Sequence, residues 1–252
     1  MEALRVSEPS QSELRRNLAR NLAQVEDSIA AACRAAGRRR ADVELVAVSK
    51  THPTATIIEA VGLGLHLFGE NRVQEFAAKS AELDAGIRSQ MRAHLIGHLQ
   101  SNKAARAVEL FDSIDSLDSL KLAEKLNEAA ANRGKRLPVL LEIKLSHEVT
   151  KAGLEPNSAQ LAELLDHLPS LENLDPQGLM TIAPLDVVEE QTRACFRALR
   201  TLRDQLAQQR PRLNLSVLSM GMSGDFPLAI AEGATRIRIG TALFGTRSGY
   251  PA

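Results

Sequence analysis

Lys50 is the residue of this 252-residue chain whose type and position most invite chemistry. It directly follows the apolar run VELVAVS (43–49) and is followed by Thr51, His52 and Pro53. A lysine at the C-terminal end of a strand stands where α/β barrels build their sites. Partial burial there disfavours the ammonium and leaves the amine available for Schiff-base formation. Taken alone, a lysine that opens a loop is more often a solvated one, so the reading needs support elsewhere.

That support comes from two glycine-containing strand ends. LSMGMSGD (218–225) runs off a strand into a helical pattern starting near Phe226 and Pro227. Gly221 and Gly224 let the backbone approach an anion, Ser223 offers a hydroxyl, and a helix start adds oriented amides. The next strand, in TRIRIGTALFG (235–245), ends with Gly240 and Thr241 at its tip. Each segment alone reads as a tight strand–helix turn. As the seventh and eighth strands of a barrel they occupy the usual place of a phosphate site.

Arg236 and Arg238 are two apart on that last strand and so share a face. Either they point into the barrel, where at least one needs an acid or a ligand, or they face the helices as ion-pair partners; position leaves both open. An interior arginine beside a heteroaromatic nitrogen would donate a hydrogen bond without giving up its proton. Polar strand ends also occur in FGENRVQE (68–75), HLIGHLQSNK (94–103) and LMTIAP (179–184), from which Asn71, His98, Gln100, Asn102 and Lys103 could reach one pocket. His94 and His98 stand four apart, but on a strand that spacing separates them lengthwise, and no metal site is expected. The nucleotide-binding and nucleophile-elbow glycine motifs are absent.

The elements that must position these groups alternate. Residues 10–36 read as a long amphipathic helix, with Leu14, Leu18, Leu22, Val25 and Ile29 at helical spacing. Strands are expected at 43–49, 65–68, 94–96, 113–114, 139–145, 178–182, 216–219 and 236–239. Helices are expected at 54–62, 72–84, 101–108, 119–132, 157–167, 187–209 and 226–232. Strands alternating with helices imply parallel pairing through right-handed crossovers. Eight of them favour a (β/α)₈ TIM barrel over an open doubly wound sheet. The expectation is one domain over residues 1–252, with residues 1–40 as an N-terminal helical extension.

Composition narrows the partners. Thirty-one basic residues balance 31 acidic ones, so nucleic acid is not an expected partner. The hydrophobic fraction is 44% with only 3% aromatic, which calls for an aliphatic core. No signal or membrane-spanning stretch is evident. Cys33 and Cys195 both fall in helical patterns and read as buried thiols without a disulfide framework. A soluble cytoplasmic protein is expected.

The combination of VAVSK, FGENRVQE, IGHLQSNK, the glycine following Lys151, GLMTI, LSMGMSGD and RIRIGTALFG resembles the pyridoxal phosphate homeostasis proteins, which look like a free-standing barrel domain of alanine racemase (fold type III). The resemblance runs from about Leu45 to Arg247. It implies pyridoxal 5′-phosphate (PLP) held as a Schiff base on Lys50. Ser223, Gly240 and Thr241 fall where the family binds the cofactor phosphate, and Arg238 matches the arginine facing the pyridine nitrogen. Asn71 and the His98 segment line the same mouth by analogy. The chain departs from the pattern at Arg92 and Ala93, before His94, where an aromatic is usual. It departs again at Lys144, where asparagine is common.

An arginine opposite the ring nitrogen keeps that nitrogen unprotonated and weakens the electron sink on which PLP enzymes depend. Racemases of similar build add a second base, a tyrosine, whereas the lone tyrosine here is Tyr250. The resemblance therefore implies a carrier or regulator in intracellular vitamin B6 homeostasis, with PLP-dependent apo-enzymes as its recipients and with no catalytic residue assigned. Two alternatives stay open: an amino acid racemase using His98 or Lys144 as second base, and a regulator whose loaded state another protein reads. A monomer is expected, since the domain that forms the racemase dimer is missing.

Overall fold

A computed structural model describes residues 10–146, 152–184 and 187–245. Eight parallel strands close into a barrel in sequence order, each pairing with the next and β8 returning to β1. They are β1 (Glu44–Val48), β2 (Leu67–Glu70), β3 (Arg92–Leu95), β4 (Ser113–Leu117), β5 (Leu137–Glu142), β6 (Leu174–Met180), β7 (Val217–Ser219) and β8 (Arg236–Ile239). Every strand expected from the sequence is present, most of them shifted by one to four residues. The open-sheet alternative is excluded by the β1–β8 pairing.

The helices are α1 (Gln11–Ala35), α2 (Thr54–Gly62), α3 (Val73–Glu82), α4 (Ala85–Ser89), α5 (Ala104–Leu110), α6 (Leu120–Ala131), α7 (Ala159–His167), α8 (Glu189–Gln209), α9 (Phe226–Ala231) and α10 (Thr241–Phe244). Side chains accept first-turn amides at the starts of α1 (Ser10), α6 (Ser119) and α7 (Ser158). The short α4 and α10 were not anticipated, because one turn of helix leaves too little periodicity to read.

The N-terminal helix does not cap an end of the barrel. It packs against α2, α9 and α10, filling the slot that the four-residue α10 is too short to cover. Leu18, Val25, Ile29 and Cys33 form its buried stripe, and Asn21 Nδ2 donates to the Leu243 carbonyl at 2.9 Å. Cys33 and Cys195 are both buried free thiols.

The aliphatic core lies between sheet and helices, as the alternating strand pattern demands. Phe68, Phe76, Phe111 and Phe196 are buried there too, so the few aromatics are concentrated in the core. The barrel interior is different. Arg236 from β8 reaches Asp115 of β4 at 3.3 Å, and His94 of β3 reaches the same carboxylate at 3.2 Å. Side chains from strands that are not neighbours can meet in this way only inside the barrel, so both arginines of β8 face inward. Arg236 also pairs with Glu44 of β1 at 2.8 Å, and Ser113 donates to Asp115 at 2.6 Å. Burial pushes the Asp115 carboxyl up, but His94, Arg236 and Ser113 outweigh it and hold the group well below the usual carboxylate range.

Candidate functional site

A cavity of about 520 Å³ opens at the C-terminal ends of the strands. Lys50, Asn71, Ser223, Arg238, Gly240 and Thr241 all line it, joined by His98 and Lys144. Gln100, Asn102 and Lys103 do not. Their segment turns outward as a 3₁₀ turn at Ser101–Lys103, and Lys103 Nζ donates to Gln74 at 3.3 Å. His94 lies below the cavity on Asp115, whereas His98 sits at the rim with Nδ1 2.9 Å from Asp118. The two histidines thus serve different carboxylates. Among the described residues no cluster of three or more His, Cys, Asp or Glu side chains could hold a metal.

Lys50 is half-buried, two residues beyond β1. The next residue, Thr51, has φ +65°, a left-handed conformation that costs a β-branched residue on the order of 1–3 kcal/mol. The turn is pinned from behind. Glu75 of α3 accepts the Thr51 amide, and Lys79 donates to the Ser49 carbonyl at 2.9 Å. Lys79 also bonds Glu70 at 2.8 Å and Glu75 at 2.8 Å, while Ser49 Oγ donates to Glu70 at 2.7 Å. Burial raises the Glu70 carboxyl despite Lys79 beside it. Burial also opposes ionisation of Glu75, but Lys79 and the Thr51 amide bring it below its ordinary value. The cation that ties this turn is therefore Lys79.

The cradle on the neighbouring rim comes from the ends of β7 and β8. Gly221 has φ +94°, and a Cβ there would stand 2.6 Å from the Ala229 Cβ, so only glycine lets β7 turn so tightly against α9. Ser223 Oγ accepts the Ala242 amide at 3.3 Å, joining the two loops. Asp225 accepts the Met222 amide at 2.6 Å, and burial raises its carboxyl. With α9 six residues long and α10 four, the cradle consists of turns and hydroxyls. The helix start expected near Phe226 and Pro227 is present as the beginning of α9. On the adjoining wall, a Cβ on Gly97 would collide with the Asn71 carbonyl, so glycine lets β3 close up behind Asn71.

Arg238 crosses the cavity floor and is 4% exposed. It donates to the Ser219 carbonyl and Oγ, both at 2.8 Å, and to the Thr181 carbonyl at 2.7 Å. Burial pulls its guanidinium below the ordinary arginine value. Neutral acceptors fix its orientation, leaving its charge to act on the cavity. On the β5 wall stand Glu142, Lys144 and Ser146. Burial and the nearby Asp118 push Glu142 up to about 7. Sequence reading missed Glu142, Ser146, Glu75 and Lys79, although an acidic residue ending the apolar run LPVLLE is a visible signal. Tyr250 and Lys151 lie outside the described residues.

Residues 21–248 match the family of the alanine racemase N-terminal domain. The pyridoxal phosphate homeostasis protein of Pseudomonas aeruginosa is 44% identical over 237 residues, covering 93% of this chain and 98% of that one. Its counterpart in Haemophilus influenzae is 41% identical over 234 residues, covering 92% and 97%. The structure of PipY from Synechococcus elongatus with PLP bound superposes with a TM-score of 0.80 at 46% identity, covering 90% of this chain and all of that one. An alanine racemase of Clostridium difficile shares the fold at 18% identity and a TM-score of 0.70, this chain spanning 58% of its length. The strand-end lysine, the paired loops and the buried arginine thus occur in a chain that belongs to the alanine racemase N-terminal domain family and, within it, to the pyridoxal phosphate homeostasis proteins.

Proposed function

We propose that this protein binds PLP through Lys50 and acts in PLP homeostasis as a carrier or regulator, without strong turnover. The observation that carries the reading is the convergence of Lys50, the Ser223–Gly240–Thr241 cradle and Arg238 on one cavity. Its volume falls within the ordinary range for small-molecule sites of about 300–1,000 Å³. Buried polar atoms in its wall that lack protein partners also fit a polar occupant. When bound, PLP supplies an aldehyde that condenses with a primary amine and a ring that withdraws electrons.

Each residue has a part in this reading. Lys50 provides the amine, held at the mouth by the Glu75–Lys79 brace. Ser223, Gly240 and Thr241 receive the phosphate, and Asn71 closes the side of the pocket. Arg238 faces the ring nitrogen as a donor that keeps its proton, so the nitrogen stays unprotonated and electron withdrawal is weak. That chemistry suits holding and handing on an aldehyde better than stabilising a carbanion. The recipients are PLP-dependent apo-enzymes, and the protein works as a monomer in the cytoplasm. No described helix is long and apolar enough to cross a membrane.

A racemase reading is favoured by one observation, the presence of His98 and Lys144 in the same mouth. Borohydride reduction followed by peptide mass mapping tests the main proposal. The pyridoxyl mass is expected on Lys50, and its appearance elsewhere, or nowhere, refutes it. Racemase assays on the wild type and Lys50→Ala separate the readings. Lys50-dependent turnover at ordinary enzyme rates of about 1–1,000 per second would displace the carrier.

A further inference from the structure

Two buried side-chain atoms among the described residues have no hydrogen-bond partner, Glu142 Oε2 and Ser146 Oγ. Glu142 is 7% exposed and Ser146 8%. Buried polar atoms are nearly always paired, so an orphan in a cavity wall points to a ligand or water that completes it. Both orphans belong to the same wall. Residues 142, 144 and 146 follow in steps of two from the end of β5, and all three line the cavity. In the eight-strand ring β5 stands opposite β1, which carries Lys50, and the cradle is on β7 and β8. The proposed attachment points thus occupy one half of the mouth, and the orphaned atoms occupy the other.

We propose that the Glu142 carboxyl and the Ser146 hydroxyl form a hydrogen-bonding subsite for the ring hydroxyl of bound PLP, with Glu142 donating its proton to that oxygen. The proposal rests on the PLP-binding reading above. With the phosphate in the cradle, the aldehyde at Lys50 and the ring nitrogen at Arg238, the remaining polar atom of PLP is the ring hydroxyl. A deprotonated hydroxyl is an acceptor, so the partner that fits is a protonated carboxyl. An ionised Glu142 would set acceptor against acceptor.

The charged groups around Glu142 are Asp118 beyond β4, His98 beyond β3, Arg238 on β8, Lys144 on its own strand and Lys50 across the mouth. Asp118 works against ionisation, whereas Arg238 and His98 favour it, and burial prevails. Glu142 is accordingly a positioning residue whose donor is present below about pH 7 and absent above it.

The experiment titrates stripped protein with PLP and, separately, with inorganic phosphate, which fills only the cradle, at pH values on either side of 7. Wild type is expected to lose about tenfold in PLP affinity on the alkaline side. Glu142→Gln, a permanent donor of the same shape, should keep its affinity at both pH values. Glu142→Ala should be about tenfold weak at both, with phosphate binding unchanged in either variant. The subsite is overturned if Glu142→Ala binds PLP like wild type, if phosphate binding falls equally, or if Glu142→Gln keeps the wild-type pH dependence. A wild type that takes phosphate but gives no pyridoxyl mass on Lys50 fails differently. It sinks the PLP reading, and the subsite with it.

Discussion

The barrel interior contains two charged layers one strand-step apart, and they are built on opposite principles. In the lower layer Arg236 meets Asp115 and Glu44, His94 meets Asp115, and Ser113 completes the carboxylate. In the upper layer Arg238, two residues further along β8, is held by the neutral Ser219 and Thr181 groups. Across the cavity, the β5 wall leaves Glu142 and Ser146 with orphaned atoms. The lower layer is closed and satisfied, as a structural network must be. The upper layer keeps charge and hydrogen-bonding capacity in reserve, which is what a binding site requires. Two arginines on one face of one strand are thus separated in role by what surrounds them.

The contrast is broken most completely at Lys50. Lys50→Ala should abolish the borohydride-trapped adduct while leaving the unfolding transition in place, because Lys79 ties the turn. If the variant melts far below wild type, the lysine also has a structural part. In the lower layer, Asp115→Asn should lower the free energy of unfolding by about 3–5 kcal/mol, since it removes the buried carboxylate that Arg236, His94 and Ser113 share. Denaturant titration measures this. The depressed Asp115 group stabilises the fold above its unfolded value of 3.8, and that contribution disappears as pH falls. The variant should therefore lose less than wild type on acidification.

Glu142 should show the opposite sign. Its carboxyl sits at about 7 in the folded protein against 4.5 when unfolded. Between those values the native state binds more protons than the unfolded one, so stability falls as pH rises. Glu142→Gln should remove this slope, gaining on the order of 2–3 kcal/mol at pH above 7 relative to acid. Thermal melts of ligand-free protein across that range would show whether the upper layer carries the cost of burying this carboxyl. The smallest effect is expected behind Lys50, where Glu75→Gln should cost about 1 kcal/mol and lower PLP loading a few-fold by loosening Thr51. Loading that is unchanged would remove the brace from the site.

Much of this was legible in the chain before folding. The alternation of strands and helices, the lysine ending VAVSK and the glycine loops ending β7 and β8 are local signals, and local periodicity and turn chemistry survive in the tertiary structure. Asn71, Ser223, Arg238, Gly240 and Thr241 could be placed on the same mouth because each ends a strand, and parallel strands in a barrel end on one face. The misplaced residues, Gln100, Asn102 and Lys103, lie past a strand end in a 3₁₀ turn. There the direction of the chain depends on the helix that follows.

The sequence by itself therefore determined the class of fold, the strand ends that form the mouth and the lysine at its centre, because these follow from residue order over short distances. Only the tertiary structure decided that Arg236 pairs with carboxylates while Arg238 lines the cavity, since the pattern RIRI treats them alike. It also decided that Lys79 braces the Lys50 turn and that burial raises the Glu142 carboxyl. Those outcomes depend on which charges from distant strands share a low-dielectric interior, and closing the barrel is what brings them together.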